Sequence, residues 1–188
     1  MELNTFLKSK RLFTNEECNS IEASFRSEII HKGDVIREVN RFANSVLFIE
    51  SGLLRIFYLQ NGKDITHFFF DENHFIAPIY SILYNKTERY QWEALEACQV
   101  RVIPYDDFLT LEDRFPKLSR LIIEFMMYLL DMFSQKLNVL QFQSASDKYE
   151  LYLDMYPNLT NRVALGSVAS FLGITQQTLS VVRAKKNK

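Results

Sequence analysis

Apolar residues recur every three or four positions between residues 115 and 142, which is the spacing of an α-helix. They form two stripes, where an ordinary surface helix has one. The stripe with heptad spacing consists of Ile123, Met126, Leu130, Phe133, Leu137 and Leu140. The other consists of Leu118, Ile122, Phe125, Leu129 and Met132. Because both faces must be covered, the pattern predicts that one stripe packs on its own domain and the heptad stripe on a second copy of the chain. A helix buried wholly inside one domain is the alternative.

The helical spacing is lost between residues 32 and 104, where short apolar runs alternate with turn residues. The strongest turn is Asn61-Gly62, because a two-residue hairpin of this type needs positive φ at both positions. The predicted strands are 33–39, 45–49, 53–60, 63–70, 91–96 and 99–103. Short antiparallel strands at this spacing are typical of a sandwich or a small barrel, which often holds one ligand.

The pattern near the C-terminus predicts two short helices. Val168 and Leu172 mark the first helix, Gly173 a tight turn, and Gln176 the start of the second helix. Two short helices joined by a turn containing glycine are typical of a helix-turn-helix, whose second helix enters the major groove of DNA. A helical hairpin that merely packs is the alternative.

The outward residues of the second helix have the chemistry that DNA recognition needs, if Leu179 and Val182 face inward. Amides pair bidentately with adenine, arginine pairs with guanine, and hydroxyl and lysine side chains bind phosphate. The predicted DNA-binding residues are Arg162, Thr175, Gln176, Gln177, Thr178, Ser180, Arg183, Lys185 and Lys186.

The charge distribution agrees with this prediction, although the net charge of −1 does not. Residues 161–188 contain five basic residues and no acidic residue, and the remainder has 17 basic and 23 acidic residues. An acidic body with a basic end is typical of a protein that contacts a polyanion through that end.

Residues 73–92 interrupt the succession of strands and are rich in aromatic side chains. Arg89 lies among them, and its planar guanidinium is a candidate clamp for a phosphate or carboxylate. Surface pairing of Arg89 with Glu88 or Glu93 is the alternative. We therefore expect a pocket for a small anionic effector here, with Tyr80, Tyr90 and Trp92 in its lining.

The sequence shows no carrier of enzyme chemistry. His31, His67 and His74 are not at metal-ligand spacings, and no motif of a catalytic triad or nucleotide-binding loop is present. We expect no catalytic residue, metal or cofactor. No apolar run is long enough to span a membrane, and Cys18 and Cys98 form no disulfide framework, so a cytoplasmic protein without a membrane partner is expected.

The stretch SASDKYELYLDMYPNLTNRVALGSVASFLGITQQTLSVVR resembles the cyclic-AMP receptor protein/Fnr (Crp/Fnr) family of bacterial transcription regulators. The residues that match the family motif are Ala169, Ser170, Leu172, Gly173, Ile174, Thr175, Leu179, Ser180 and Arg183. The resemblance covers nearly the whole chain. It implies an α+β fold: an antiparallel β-roll sensor of the jelly-roll, cyclic-nucleotide-binding-like type (1–114), a dimerisation helix (115–143) and a helix-turn-helix domain (144–188).

The chain departs from the family at three places. Val181 stands where the family usually has an arginine that contacts guanine. Ala77-Pro78 and Arg89-Tyr90 stand where cyclic-nucleotide binders have Gly-Glu and Arg-Ser. Ala77 therefore joins the candidate pocket residues, but cyclic AMP is not the expected effector. The cysteine ligands of the Fnr-type cluster are also missing.

The resemblance implies a homodimeric regulator that binds a palindromic operator on double-stranded DNA, with an unknown or vestigial effector and RNA polymerase as a further candidate partner. The alternative of a different class is a small-molecule-binding β-barrel protein or enzyme with an incidental helical tail.

Overall fold

The structure, a computed structural model, describes residues 1–36, 42, 44–86, 89–142 and 144–186, without the side chains of 139–142 and 186. The chain divides into two compact units. The first comprises Met1–Tyr58 and Phe68–Ile123, and the second comprises Leu59–His67 and Glu124–Lys188. The three-part division at residues 114 and 143 stays a prediction.

The described residues contain strands in two antiparallel sheets. The strands are β1 (Arg26–Ile30), β2 (Val35–Ile36), β3 (Ser45–Ser51), β4 (Leu54–Gln60), β5 (Lys63–Phe70), β6 (Phe75–Ile76), β7 (Gln91–Ala94) and β8 (Cys98–Pro104). One sheet has the order β1-β8-β3-β6 and the other β2-β7-β4-β5. This arrangement confirms the predicted antiparallel β-roll. Strands β1 and β6 were not predicted.

The β4–β5 hairpin forms at the predicted position. Asn61 has φ of 52° and Gly62 has φ of 74°, so both residues adopt the left-handed conformation that the two-residue turn requires. The local chemistry of the two turn residues is therefore sufficient to place this hairpin.

Helices cover one face of the first sheet. They are α1 (Leu3–Ser9), α2 (Asn15–Ala23), α4 (Tyr105–Arg114) and the start of α5 (Lys117–Phe142). Val46 and Phe48 on β3 pack with Leu7, Ile21 and other apolar residues of these helices. The alternate β3 residues, at positions 47 and 49, are also fully buried, because successive side chains of a strand point to opposite faces. Strand β3 is thus covered on both sides.

The remaining described helices are α3 (Ile79–Tyr84), α6 (Ala145–Met155), α7 (Leu165–Leu172) and α8 (Gln176–Lys186). Ser144 caps α6, because its hydroxyl accepts from the Asp147 N–H while the Asp147 carboxylate accepts from the Ser144 N–H. Tyr152 and Tyr156 of this segment pack against the ring of Phe171, at centroid distances of 6.0 and 5.6 Å. Among the described residues, no helix is long and apolar enough to cross a membrane.

Candidate nucleic-acid interface

Helices α7 and α8 form a helix-turn-helix around Gly173. This glycine has φ of 64°, and the N–H of Ile174 donates to the carbonyl of Ala169 at 3.1 Å, which closes the end of α7. The Thr175 hydroxyl then accepts from the N–H of Thr178 at 3.1 Å and caps α8. The turn therefore has both a glycine in the left-handed conformation and a capped second helix.

The inner face of α8 is anchored by Leu179, which is fully buried, whereas Val182 is half-buried. On α7, Val168, Phe171 and Leu172 are buried. Since these apolar residues lie on the inward faces of two neighbouring helices, they hold α8 with its opposite face exposed.

The exposed face of α8, together with its capping residue, includes most of the predicted DNA-binding residues: Thr175, Gln176, Gln177, Thr178, Ser180 and Lys185. Their hydroxyl groups are already engaged within the helix. The hydroxyls of Thr175 and Thr178 lie 2.8 Å apart, and the Ser180 hydroxyl donates to the carbonyl of Gln176 at 2.9 Å. Gln177 is exposed, whereas the exposed Gln176 has its side-chain amide beside Gly166 of α7, where a Cβ built on the glycine would lie 2.7 Å from the amide nitrogen.

Two of the predicted arginines lie deeper than expected. Arg162 and Arg183 are half-buried, and Arg183 was predicted to face outward. Burial raises the pKa of the Tyr152 hydroxyl, and the charge of Arg183 opposes that shift. The side chains of Lys186 and Leu140 lie outside the described residues.

The second unit contains a contact that was not predicted. The N–H of Thr66 on β5 donates to the Ser170 hydroxyl of α7 at 2.9 Å, and that hydroxyl donates to the carbonyl of Asp64 at 3.2 Å. These bonds attach the tip of the β4–β5 hairpin to the first helix of the helix-turn-helix.

Lys136 of α5 completes this contact. Its ammonium group donates to the carbonyl of His67 at 2.5 Å and lies 4.1 Å from the centroid of the Phe171 ring. Burial lowers the pKa of Lys136 to about 7. Burial, followed by the charge of Lys136, lowers the pKa of His67 to about 4. The sequence contains one signal of this buried lysine: Lys136 follows Met132 by four positions and so takes the next position of an otherwise apolar stripe.

The heptad stripe of α5 is exposed in the single chain. The exposed members are Ile123, Met126, Leu130, Phe133 and Leu137. Phe133 also packs on the ring of His67, with 5.6 Å between centroids. On the other stripe, Leu118 and Met132 are buried, so only one of the two predicted apolar faces is covered by the chain itself.

The predicted pocket residues do not all converge. The Arg89 guanidinium is exposed and lies 5.3 Å from the centroid of the Tyr80 ring. The Tyr90 ring packs on Tyr58, at 6.0 Å between centroids, whereas Trp92 is buried in β7. Ala77 packs on the core cluster of the first unit.

Glu93 and Glu88 were the two surface partners considered for Arg89. The carboxylate of Glu93 pairs with Arg55, with its Oε2 2.8 Å from the Arg55 Nε. Glu88 lies outside the described residues. Among the described residues, no group of three or more His, Cys, Asp or Glu side chains is placed to hold a metal ion.

Residues 28–115 match the family model of the cyclic nucleotide-binding domain. No curated protein matches the chain. Several solved structures share its fold. The c-di-GMP-responsive global regulator CLP of Xanthomonas campestris is 14% identical, with 93% of this chain and 92% of that chain covered and a TM-score of 0.71. FixK2 from Bradyrhizobium japonicum is 16% identical, with coverages of 87% and 84% and a TM-score of 0.72.

A third structure, from Eubacterium rectale, is assigned to the Crp/Fnr family of transcriptional regulators. It is 14% identical, covers 97% of this chain and 88% of its own, and has a TM-score of 0.71. At such identities the likeness establishes the fold, and it confirms the resemblance at that level.

Proposed function

We propose that this chain, in which residues 28–115 match the cyclic nucleotide-binding domain and which has the fold of the Crp/Fnr regulators, is a transcription regulator that binds DNA as a homodimer. The observation that carries the proposal is the capped helix α8, whose polar face is exposed in a segment with no acidic residue. A helix that merely packed would have no need of an exposed amide and lysine face without any balancing carboxylate.

DNA binding divides between two groups of residues. Lys185 is exposed near the end of α8 and supplies a charge for phosphate, together with the neighbouring Lys186. Gln177 lies in the first turns of α8, where a recognition helix contacts base edges. Phosphate contacts set affinity and register, whereas base contacts set sequence preference.

Dimerisation is supported by the exposed heptad stripe of α5. A continuous row of large apolar side chains over several turns is unusual on a monomer surface, and a parallel second helix would cover it. A two-fold dimer places its recognition helices roughly 34 Å apart, so the operator is an imperfect palindrome.

The effector of the sensor is a small anion other than cyclic AMP, held by Arg89 over Tyr80. At the other motif positions Ala77 offers no carboxylate for a ribose hydroxyl, and Tyr90 is a bulky ring engaged with Tyr58. An effector shifts the dimer only to the extent that it binds the two states differently.

RNA polymerase is a further partner of the proposed regulator. A cytoplasmic location agrees with the buried thiols of Cys18 and Cys98, which form no disulfide.

The proposal is tested by selecting bound sequences from a random duplex library and measuring affinity for the enriched duplex and for random duplex. Lys185→Ala should weaken binding to both alike and lower the salt slope by about one. Gln177→Ala should cost about 1–3 kcal/mol on the enriched duplex and little on random DNA. Failure to enrich any sequence, with equal affinity of parent and variants for all duplexes, would contradict the proposal.

A further inference from the structure

We infer that Val181 determines operator specificity by packing on the 5-methyl group of thymine, so that α8 selects A·T base pairs in each half-site. The inference rests on the proposed function and names the base chemistry of its DNA target. Its starting point is that a large apolar side chain, 52% exposed, occupies the outer face of α8.

The position of Val181 on the helix places it beside Gln177. The two residues are four positions apart, one helical turn, so their side chains are neighbours on one face. Leu179 between them is fully buried and marks the opposite, inward face. Because β-branched residues are weak helix formers, an exposed valine gains nothing from helix propensity. Neither helix propensity nor burial accounts for this side chain.

Gln177 and Val181 differ from the neighbouring hydroxyl residues, whose side chains are hydrogen-bonded within the turn and α8. The hydroxyls of Thr175 and Thr178 bond to each other, and the Ser180 hydroxyl bonds back to the Gln176 carbonyl. No hydrogen bond engages the Gln177 side chain in the part of the chain that the structure describes, and this residue is exposed. The outer face therefore presents one amide and one isopropyl group a turn apart.

These two groups select the same kind of base pair. In the major groove an amide pairs bidentately with N6 and N7 of adenine, and an apolar group packs on the thymine methyl. Beside a G·C pair, Val181 would cover polar base edges without offering them a hydrogen bond, which is unfavourable. Arg183, the nearest arginine in the sequence, is half-buried.

The spacing within the helix sets the spacing of the bases. Four residues of α-helix advance about 6 Å, and base pairs are stacked at about 3.4 Å, so the two contacts fall within about two base pairs. We therefore expect each half-site to contain an adenine contacted by Gln177 and, within two base pairs, a thymine contacted by Val181.

The test uses the full-length protein and the duplex that it enriches from a random library. In that duplex each conserved thymine is replaced, one position at a time in both half-sites, by deoxyuridine, which lacks only the 5-methyl group. At one position the parent should lose affinity by about three- to fourfold per half-site, or about tenfold for both, from the loss of a buried methyl. Deoxyuridine outside the half-sites is the matched control and should change nothing.

The variant Val181→Ala identifies the contact. This variant should bind the thymine and deoxyuridine duplexes equally. Its circular dichroism and melting temperature should match those of the parent, because the Val181 side chain lies on the exposed face of α8. If the parent enriches an operator yet binds every deoxyuridine duplex as tightly as the thymine duplex, or if Val181→Ala still discriminates, the inference fails and the proposed function stands. If no sequence is enriched, the proposed function fails and this inference with it.

Discussion

Replacing Leu130 tests whether the heptad stripe of α5 is the dimer interface. Leu130 is 71% exposed in the single chain, more than any other stripe residue whose side chain the structure describes. Leu130→Ala removes about three methylene equivalents, each worth about 0.8 kcal/mol when buried, so the 71% that a partner could cover amounts to about 1.7 kcal/mol per protomer. A symmetric dimer contains the substitution twice, which gives about 3.4 kcal/mol and a rise of about 300-fold in the dissociation constant.

The assay is sedimentation equilibrium over a range of concentrations around the dissociation constant of the parent. Leu83→Ala is the matched control, since Leu83 is 62% exposed and belongs to α3 rather than to the stripe. The control should dimerise like the parent. Leu130 is a better choice than Phe133, because Phe133 also packs on His67 in its own chain. An unchanged dissociation constant for Leu130→Ala would refute the interface.

Three further predictions concern Lys136, the Gly173 turn and the sensor domain. Burial lowers the pKa of Lys136 to about 7, so the unfolded chain holds this proton at pH values where the folded protein has released it, and stability rises between pH 7 and 9. Lys136→Met should remove about 1–2 kcal/mol of that rise in urea denaturation, and an equal rise in both proteins would contradict the burial argument. Gly173→Ala, at φ of 64°, should cost about 1–2 kcal/mol of unfolding free energy, and a neutral result would mean that the turn relaxes. Calorimetry should detect no tight binding of cyclic AMP, and a micromolar affinity lost in Arg89→Ala would show that the substitutions at the nucleotide motif are tolerated.

Local interactions explain which elements were predictable. The Asn61-Gly62 hairpin and the Gly173 turn each depend on residues within a few positions of one another. Helix α5 belongs with them, because its apolar spacing persists over many turns and needs no distant partner to be recognised.

Elements whose identity depends on distant packing were missed. Strand β1 pairs with β8 some seventy residues later, for example Glu28 with Val100. Only the last residue of β1 is buried, so its sequence RSEII lacks the alternation of apolar and polar residues that indicates a strand. Helix α4 contributes Phe108 and Leu111 to the core of the first unit, but its sequence is otherwise exposed and mostly polar.

The sequence alone determined that a series of short antiparallel strands is followed by a long helix and a helix-turn-helix with a basic end, because spacing, turn residues and charge are properties of neighbouring positions. Only the tertiary structure decided which side-chain groups of these elements are exposed and available to bind a ligand. In the folded chain Lys136 is buried against Phe171 and Arg183 is half-buried. The Ser180 hydroxyl of α8 is hydrogen-bonded within the helix, whereas Val181 is exposed. Burial and hydrogen-bond partners are set by residues far apart in the chain, and they decide whether a polar group is available to a ligand.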